Sequence, residues 1–156
     1  MMGKLKLFWL LSCFASLSLA DAYDRRDFNY RTYKPNTSIG FYTNKACDFI
    51  NIDHIVSLKD AYESGAASWG ASKKESFAND RDNHVPSCGP VNSSKGSAVP
   101  SDFLRRSNDG RGLEYEIVRF CEYLQKYYAV KVKYGFSLQG NRENTFESCG
   151  ITPIYS

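Results

Sequence analysis

Histidine is nearly missing from this chain, with His54 and His84 the only two. Cysteine is sparse as well, and none of the five forms a Cys-x-x-Cys pair, so a thiolate zinc centre has no ligand frame. Charge of one sign is in little excess: 20 Lys and Arg against 17 Asp and Glu give +3. That balance permits a local basic surface for a nucleic acid without pointing to one. No internal repeat or low-complexity tract is evident, which sets solenoids and disordered arrays aside.

What is present begins with an amino-terminal segment of export type. Lys4 and Lys6 precede an almost unbroken apolar run from Leu7 to Leu19, followed by small residues to Ala22. A permanent span needs ~20 apolar residues, so this run reads as a cleaved signal over residues 1–22 and not as a stable membrane anchor. The remaining length suits one domain with a modest core. Cleavage leaves Cys47, Cys88, Cys121 and Cys149, which in a small exported protein read as two disulfides with three connectivities open. Periplasm and external medium both permit such bonds.

Residues 23–46 are rich in Tyr, Arg and Asn and read as an arm wrapped on the surface. Its rings (Tyr23, Phe28, Tyr30, Tyr33, Phe41, Tyr42) anchor it to the core or stack on bases. Residues 49–56 form a β-type run, and residues 57–65 a short helix closed by glycine. Ser72 to Glu75 has capping-box spacing for a helix ending near Ala78. Residues 84–87 suggest a second strand, and a short helix from Val91 would carry Asn92 in its first turn. The pattern over residues 113–129 predicts the best helix, with Ile117, Cys121, Leu124 and Tyr128 on one stripe, continuing to Gly135. Asp60 and Glu63 read as a solvated helix face, and Trp69 and Tyr62 as core. The fold class is α+β.

The chemistry gathers between Ile52 and Gly96: Asp53-His54, then Asn83, then Asn92 with Lys95. If the two strands pair antiparallel and the next helix packs across them, these side chains converge. A neutral imidazole at His54 can take a proton from water near neutral pH. Asp53 and Asn92 offer oxygen ligands to one divalent cation, which favours Mg2+, with Mn2+ or Ca2+ as alternatives. Lys95, Lys59 and Arg105 are candidate phosphate contacts, with Arg106, Lys131 and Lys133 as further members of a basic rim. Neighbours on a regular strand point to opposite faces, so the strand must end or twist at Asp53-His54 for both to reach one site. His84 reads as an ordinary strand residue, with a second imidazole near the site as the alternative.

These residues resemble the HNH endonuclease superfamily, with Asp53-His54, Asn83 and Asn92 in its three motif positions. The resemblance extends through residues 53–69, 77–80, 91–96, 121–123 and 129–135 to Cys149, where the chain looks like exported HNH proteins of the DUF1524 type. It implies a small ββα-metal core with additional helices over residues 47–156, stapled by disulfides. It also implies Asn83 as a support that ties the loop backbone and holds His54, and hydrolysis to 5′-phosphate and 3′-hydroxyl ends. Antiparallel strands would bring Cys47 to Cys88, leaving Cys121 for Cys149.

The expected activity is therefore an exported endonuclease acting as a monomer on DNA, with RNA left open. Low sequence specificity follows from the lack of an attached base-reading module. The competing reading is a non-catalytic module that grips nucleic acid or a partner on the same scaffold.

Overall fold

A computed structural model describes residues 22–154. The expected export signal, apart from Ala22, lies outside the described residues. The architecture is mixed: six α-helices, short 3-10 turns and a two-stranded sheet among the described residues. No helix among the described residues is long and apolar enough to cross a membrane.

Strands β1 (Ile50–His54) and β2 (His84–Cys88) run antiparallel, pairing Ile50 with Cys88, Asp53 with Val85 and His54 with His84. Between them lie α1 (Leu58–Glu63) and α2 (Ala71–Ala78). Ser57 caps α1 by accepting the Asp60 N–H at 3.0 Å. The capping box expected for α2 does not form. Gly70 stands at the cap position without a side-chain bond, and Glu75 turns instead to an ion pair with Arg31.

Helix α3 (Gly89–Lys95) follows β2 directly, with Pro90 in its first turn where a missing N–H costs nothing. It packs across both strands. Helix α4 (Pro100–Arg106) opens on a second proline and lies against α3.

The long helix, α5, spans Phe120–Tyr134 and ends on Gly135 in the left-handed region at φ 66°. It starts later than the periodicity predicts because the preceding backbone is spent elsewhere. The Tyr115 N–H donates to the Ser107 carbonyl at 3.0 Å, and the Arg119 N–H to the Tyr42 carbonyl at 3.4 Å. The buried stripe is Tyr123, Leu124, Tyr127, Val130 and Lys131, which keeps Leu124 of the expected stripe, whereas Cys121 is exposed, Tyr128 is half-buried, and Ile117, though buried, precedes the helix. A short α6 (Glu143–Glu147) closes the chain's tail onto α5 through Phe146.

The core is aromatic. Tyr42 meets Phe103 and Tyr123 edge-on at 4.9 and 5.3 Å, and Phe77 meets Tyr134 and Phe136 edge-on at 5.0 and 5.3 Å. Each such pair adds ~0.5–1.5 kcal/mol beyond burial. Residues 23–46 contribute Phe28, Phe41 and Tyr42 to this core. Part of that segment runs along the free edge of β2, where the Phe41 N–H donates to the Pro86 carbonyl at 2.8 Å. Pro86 is tolerated in β2 because the strand has this open edge.

Disulfides join Cys47 to Cys88 and Cys121 to Cys149. Gly40 is pressed onto the first: a Cβ there would stand 2.9 Å from the Cys88 sulfur. The second ties α5 to the tail.

Asp60 is not on a solvated face. It is buried and accepts from Lys131 at 2.6 Å and from the Tyr127 hydroxyl at 2.7 Å. Lys131 is therefore a core cation and not part of a basic rim, while Lys133 is held by Asp80 and Asp82. The sequence suggests both as members of a phosphate-binding rim or as solvated lysines, and residue type alone cannot tell a charge on the surface from one paired across the core.

Candidate functional site

Side-chain alternation along β1 sets up the site. Asn51 and Asp53 share one face of the strand, and His54 takes the other. On the first face, Asn92 and Lys95 of α3 lie one turn apart and meet this pair in register. The Asn92 Nδ2 donates to the Asn51 Oδ1 at 2.9 Å, and the Lys95 Nζ sits 3.0 Å from the Asp53 Oδ2. Tyr42 donates its hydroxyl to the same Oδ2 at 2.6 Å. Burial, then the Asp53 charge, pushes the Tyr42 phenol well up, so it remains a donor. Oδ1 of Asp53 has no protein donor among the described residues.

Lys95 is fully buried and also donates to the His54 carbonyl at 2.8 Å. This differs from the expectation of a phosphate contact. The ammonium is turned inward because Asp53, 5% exposed, needs a counter-charge.

His54, 4% exposed, closes β1 and points toward the end of α2. Its Nε2 lies 2.8 Å from the Ala78 carbonyl, one of the carbonyls a helix leaves unpaired at its last turn. A carbonyl only accepts, so Nε2 carries the proton and Nδ1 holds the lone pair. Nδ1 has no protein partner among the described residues. The ring stands edge-on between Tyr30 at 4.6 Å and His84 at 4.7 Å. Burial pulls the imidazole down to about 3, against the Ala78 carbonyl acting the other way, so the ring is neutral at neutral pH.

Asn83, wholly buried, clamps the chain just past the strand. Its Oδ1 accepts the Val56 N–H at 2.8 Å, its Nδ2 donates to the Val56 carbonyl at 3.0 Å, and its own carbonyl accepts the Ile55 N–H at 2.8 Å. It makes no hydrogen bond to the His54 ring.

The strand ends at His54, and there a cleft of about 420 Å³ opens. Asp53, His54, Asn92 and Lys59 all line it, joined by Arg25, Ser57, Ser93 and Gly96. Asp53 and His54 both line this cleft although their side chains leave opposite faces of β1. Arg105 does not line it. It lies in an adjoining groove of about 580 Å³ with Arg106 and Arg111, and Ser93 borders both.

Among the described residues no cluster of three His, Cys, Asp or Glu could hold a metal. The available donors toward the cleft are oxygens, the Asp53 Oδ1 and the Asn92 Oδ1 left over once Nδ2 is spent on Asn51. This thin, hard set suits an oxygen-seeking divalent cation that keeps several waters.

Sequence reasoning missed Asn51, Arg25, Tyr42 and the Ala78 carbonyl. Asn51 was available from its spacing, two residues before Asp53 on one strand face. Arg25 and Tyr42 arrive from a segment with no periodicity, and a backbone carbonyl leaves no trace in a sequence.

The strand pair, the crossing helix and the cleft define a small disulfide-stapled α+β domain with an imidazole, a carboxylate and a carboxamide at one strand end. The chain belongs to the family of the GmrSD restriction endonucleases' C-terminal domain, an HNH-type nuclease family whose sequence profile matches residues 10–146. An uncharacterized secreted protein of Arthroderma benhamiae is 42% identical over 60 residues, covering 37% of this chain and 29% of that protein. The match therefore spans under a third of that relative's length. No solved structure matches the chain.

Proposed function

We propose that this chain is an exported endonuclease that hydrolyses DNA phosphodiester bonds with His54 as general base. The observation that carries the reading is the His54 imidazole. Its Nε2–H is committed to the Ala78 carbonyl, which leaves the Nδ1 lone pair without a protein partner, on a residue that lines the same cleft as Asp53 and Asn92. Nδ1 takes the proton from the attacking water as the new P–O bond forms, and the leaving sugar oxygen departs on the far side. Asp53 and Asn92 would hold the divalent cation, Mg2+ before Mn2+ or Ca2+, which supplies charge stabilisation at the phosphate and the leaving oxygen.

The remaining residues orient. Asn83 fixes the Ile55–Val56 backbone that follows the base, and Asn51 sets which end of the Asn92 amide faces the cleft. Lys59 and Arg25, exposed on the cleft, meet flanking phosphates, and Arg105 extends that contact into the adjoining groove. Low sequence specificity and a monomer belong to this reading, and RNA is a substrate to test beside DNA. Export is supported by the two disulfides and by the secreted relative.

One observation favours a second reading, a non-catalytic binding module. The Lys95 ammonium already neutralises Asp53 and weakens its pull on a second cation. The two are separated by incubating the oxidised protein with supercoiled plasmid in Mg2+, Mn2+ or EDTA, beside Asn92→Ala. Metal-dependent nicking that fails in Asn92→Ala supports the enzyme. Plasmid retention without turnover in either metal moves the reading to the binder.

A further inference from the structure

The Ala78 carbonyl that orients His54 has a second imidazole on it. The His84 Nε2 lies 2.9 Å from the same oxygen that the His54 Nε2 meets at 2.8 Å. A carbonyl oxygen has two lone pairs, and here each imidazole N–H takes one. The rings face each other across the strand pair, their centroids 4.7 Å apart at an interplanar angle of 88°. The Nδ1 of His84 is itself engaged, 3.2 Å from the Tyr33 hydroxyl. With Nε2 bound to a carbonyl, Nδ1 is the acceptor and the phenol donates. Tyr33 is in turn covered by the Arg81 guanidinium, 3.4 Å from its ring centroid.

Helix α2 ends at Ala78, where backbone bonds fray for want of partners. An acceptor at such an end is only as well placed as its donors make it. We propose that His84 is a positioning residue for the nuclease reaction: its Nε2–H anchors the Ala78 carbonyl and thereby holds His54 in the orientation and tautomer that leave the Nδ1 lone pair unprotonated. This rests on His54 being the base, but the positioning itself has a readout that needs no catalysis. Burial lowers the affinity of the His84 ring for protons, in keeping with a neutral N–H donor.

The test is long-range 1H–15N correlation on histidine-labelled protein, read with plasmid cleavage, in wild type, His84→Phe and His84→Gln. Phenylalanine keeps the ring and the burial but loses the N–H, whereas glutamine restores an N–H at nearly the same reach. In wild type His54 should show a single tautomer with Nε2 protonated. In His84→Phe the His54 signals should shift to a tautomer mixture, and kcat should fall ~10-fold with KM unchanged, the scale of losing an orienting partner. His84→Gln should recover both. A wild-type His54 spectrum in His84→Phe overturns the proposal, whatever happens to cleavage. No cleavage by the wild type, with the tautomer shift still present, would instead remove the nuclease reading and keep the positioning.

Discussion

Lys95→Met separates a buried counter-charge from a substrate contact. Methionine keeps most of the aliphatic stem, so the change removes the ammonium and little packing. What is lost is the 3.0 Å pair with the Asp53 Oδ2 and the 2.8 Å bond to the His54 carbonyl. Asp53 is left inside the protein with only the Tyr42 hydroxyl as donor. Removing one partner of a buried pair costs ~3–5 kcal/mol, mostly from the charge left behind. A solvated lysine that merely meets phosphate would cost ~0.5 kcal/mol or less. Urea unfolding of the oxidised protein in EDTA reads the difference directly. Because the vacated side of Asp53 can then attract a cation, millimolar Mn2+ should restore more stability to Lys95→Met than to wild type. A loss near zero, paired with weaker plasmid binding, would refute the inward assignment and return Lys95 to the substrate.

The other expectations concern parts that hold the cleft in shape. Asn83→Ala removes both bonds to the Val56 peptide and leaves a buried N–H and C=O unpaired, for a loss of about 3 kcal/mol in urea unfolding. An unchanged midpoint would contradict the clamp. Removing the Cys47–Cys88 bridge with a Cys47→Ser, Cys88→Ser pair frees a loop closed over a sequence separation of 41 residues and should cost about 4 kcal/mol on the chain-entropy estimate, checked by thermal unfolding. Acid should also destabilise the fold. Burial holds His54 down to about 3, so between there and the free value near 6.5 the unfolded chain takes up a proton the folded state refuses. That contribution is complete above the free value and falls by ~1.4 kcal/mol per pH unit as the pH drops toward the folded one. His84, also lowered by burial, adds in the same direction. Urea midpoints in EDTA should fall through this window, less steeply in His54→Phe; equal slopes in the two proteins would contradict it.

Much of the site's frame was legible from residue order alone. The β-rich run before Asp53-His54 and the Gly89-Pro90 step after the second strand both mark element ends by local chemistry, and local chemistry survives folding. What could not be read was which way charges turn. Asp60 reads as a solvated helix residue and Lys95 and Lys131 as phosphate contacts, yet each lies buried because its partner arrives from a distant segment. The start of α5 was misread for a related reason. The Tyr115 N–H bonds back to the Ser107 carbonyl and the Arg119 N–H to the distant Tyr42 carbonyl, and no periodicity records that. His84 reads as an ordinary strand residue or a second imidazole near the site, and its contact with a backbone oxygen that His54 shares leaves no trace in residue order.

As the proposed general base, His54 turns a binding cleft into a cleaving one. Wild type and His54→Ala should be compared on the same supercoiled plasmid in Mg2+ and Mn2+, with binding measured alongside by fluorescence anisotropy on a labelled duplex. Expected are equal binding, metal-dependent nicking by wild type, and a loss of nicking on the order of 10²-fold or more in the variant. Nicking that persists at the wild-type rate in His54→Ala, or none by wild type on plasmid, single-stranded DNA or RNA, would contradict it.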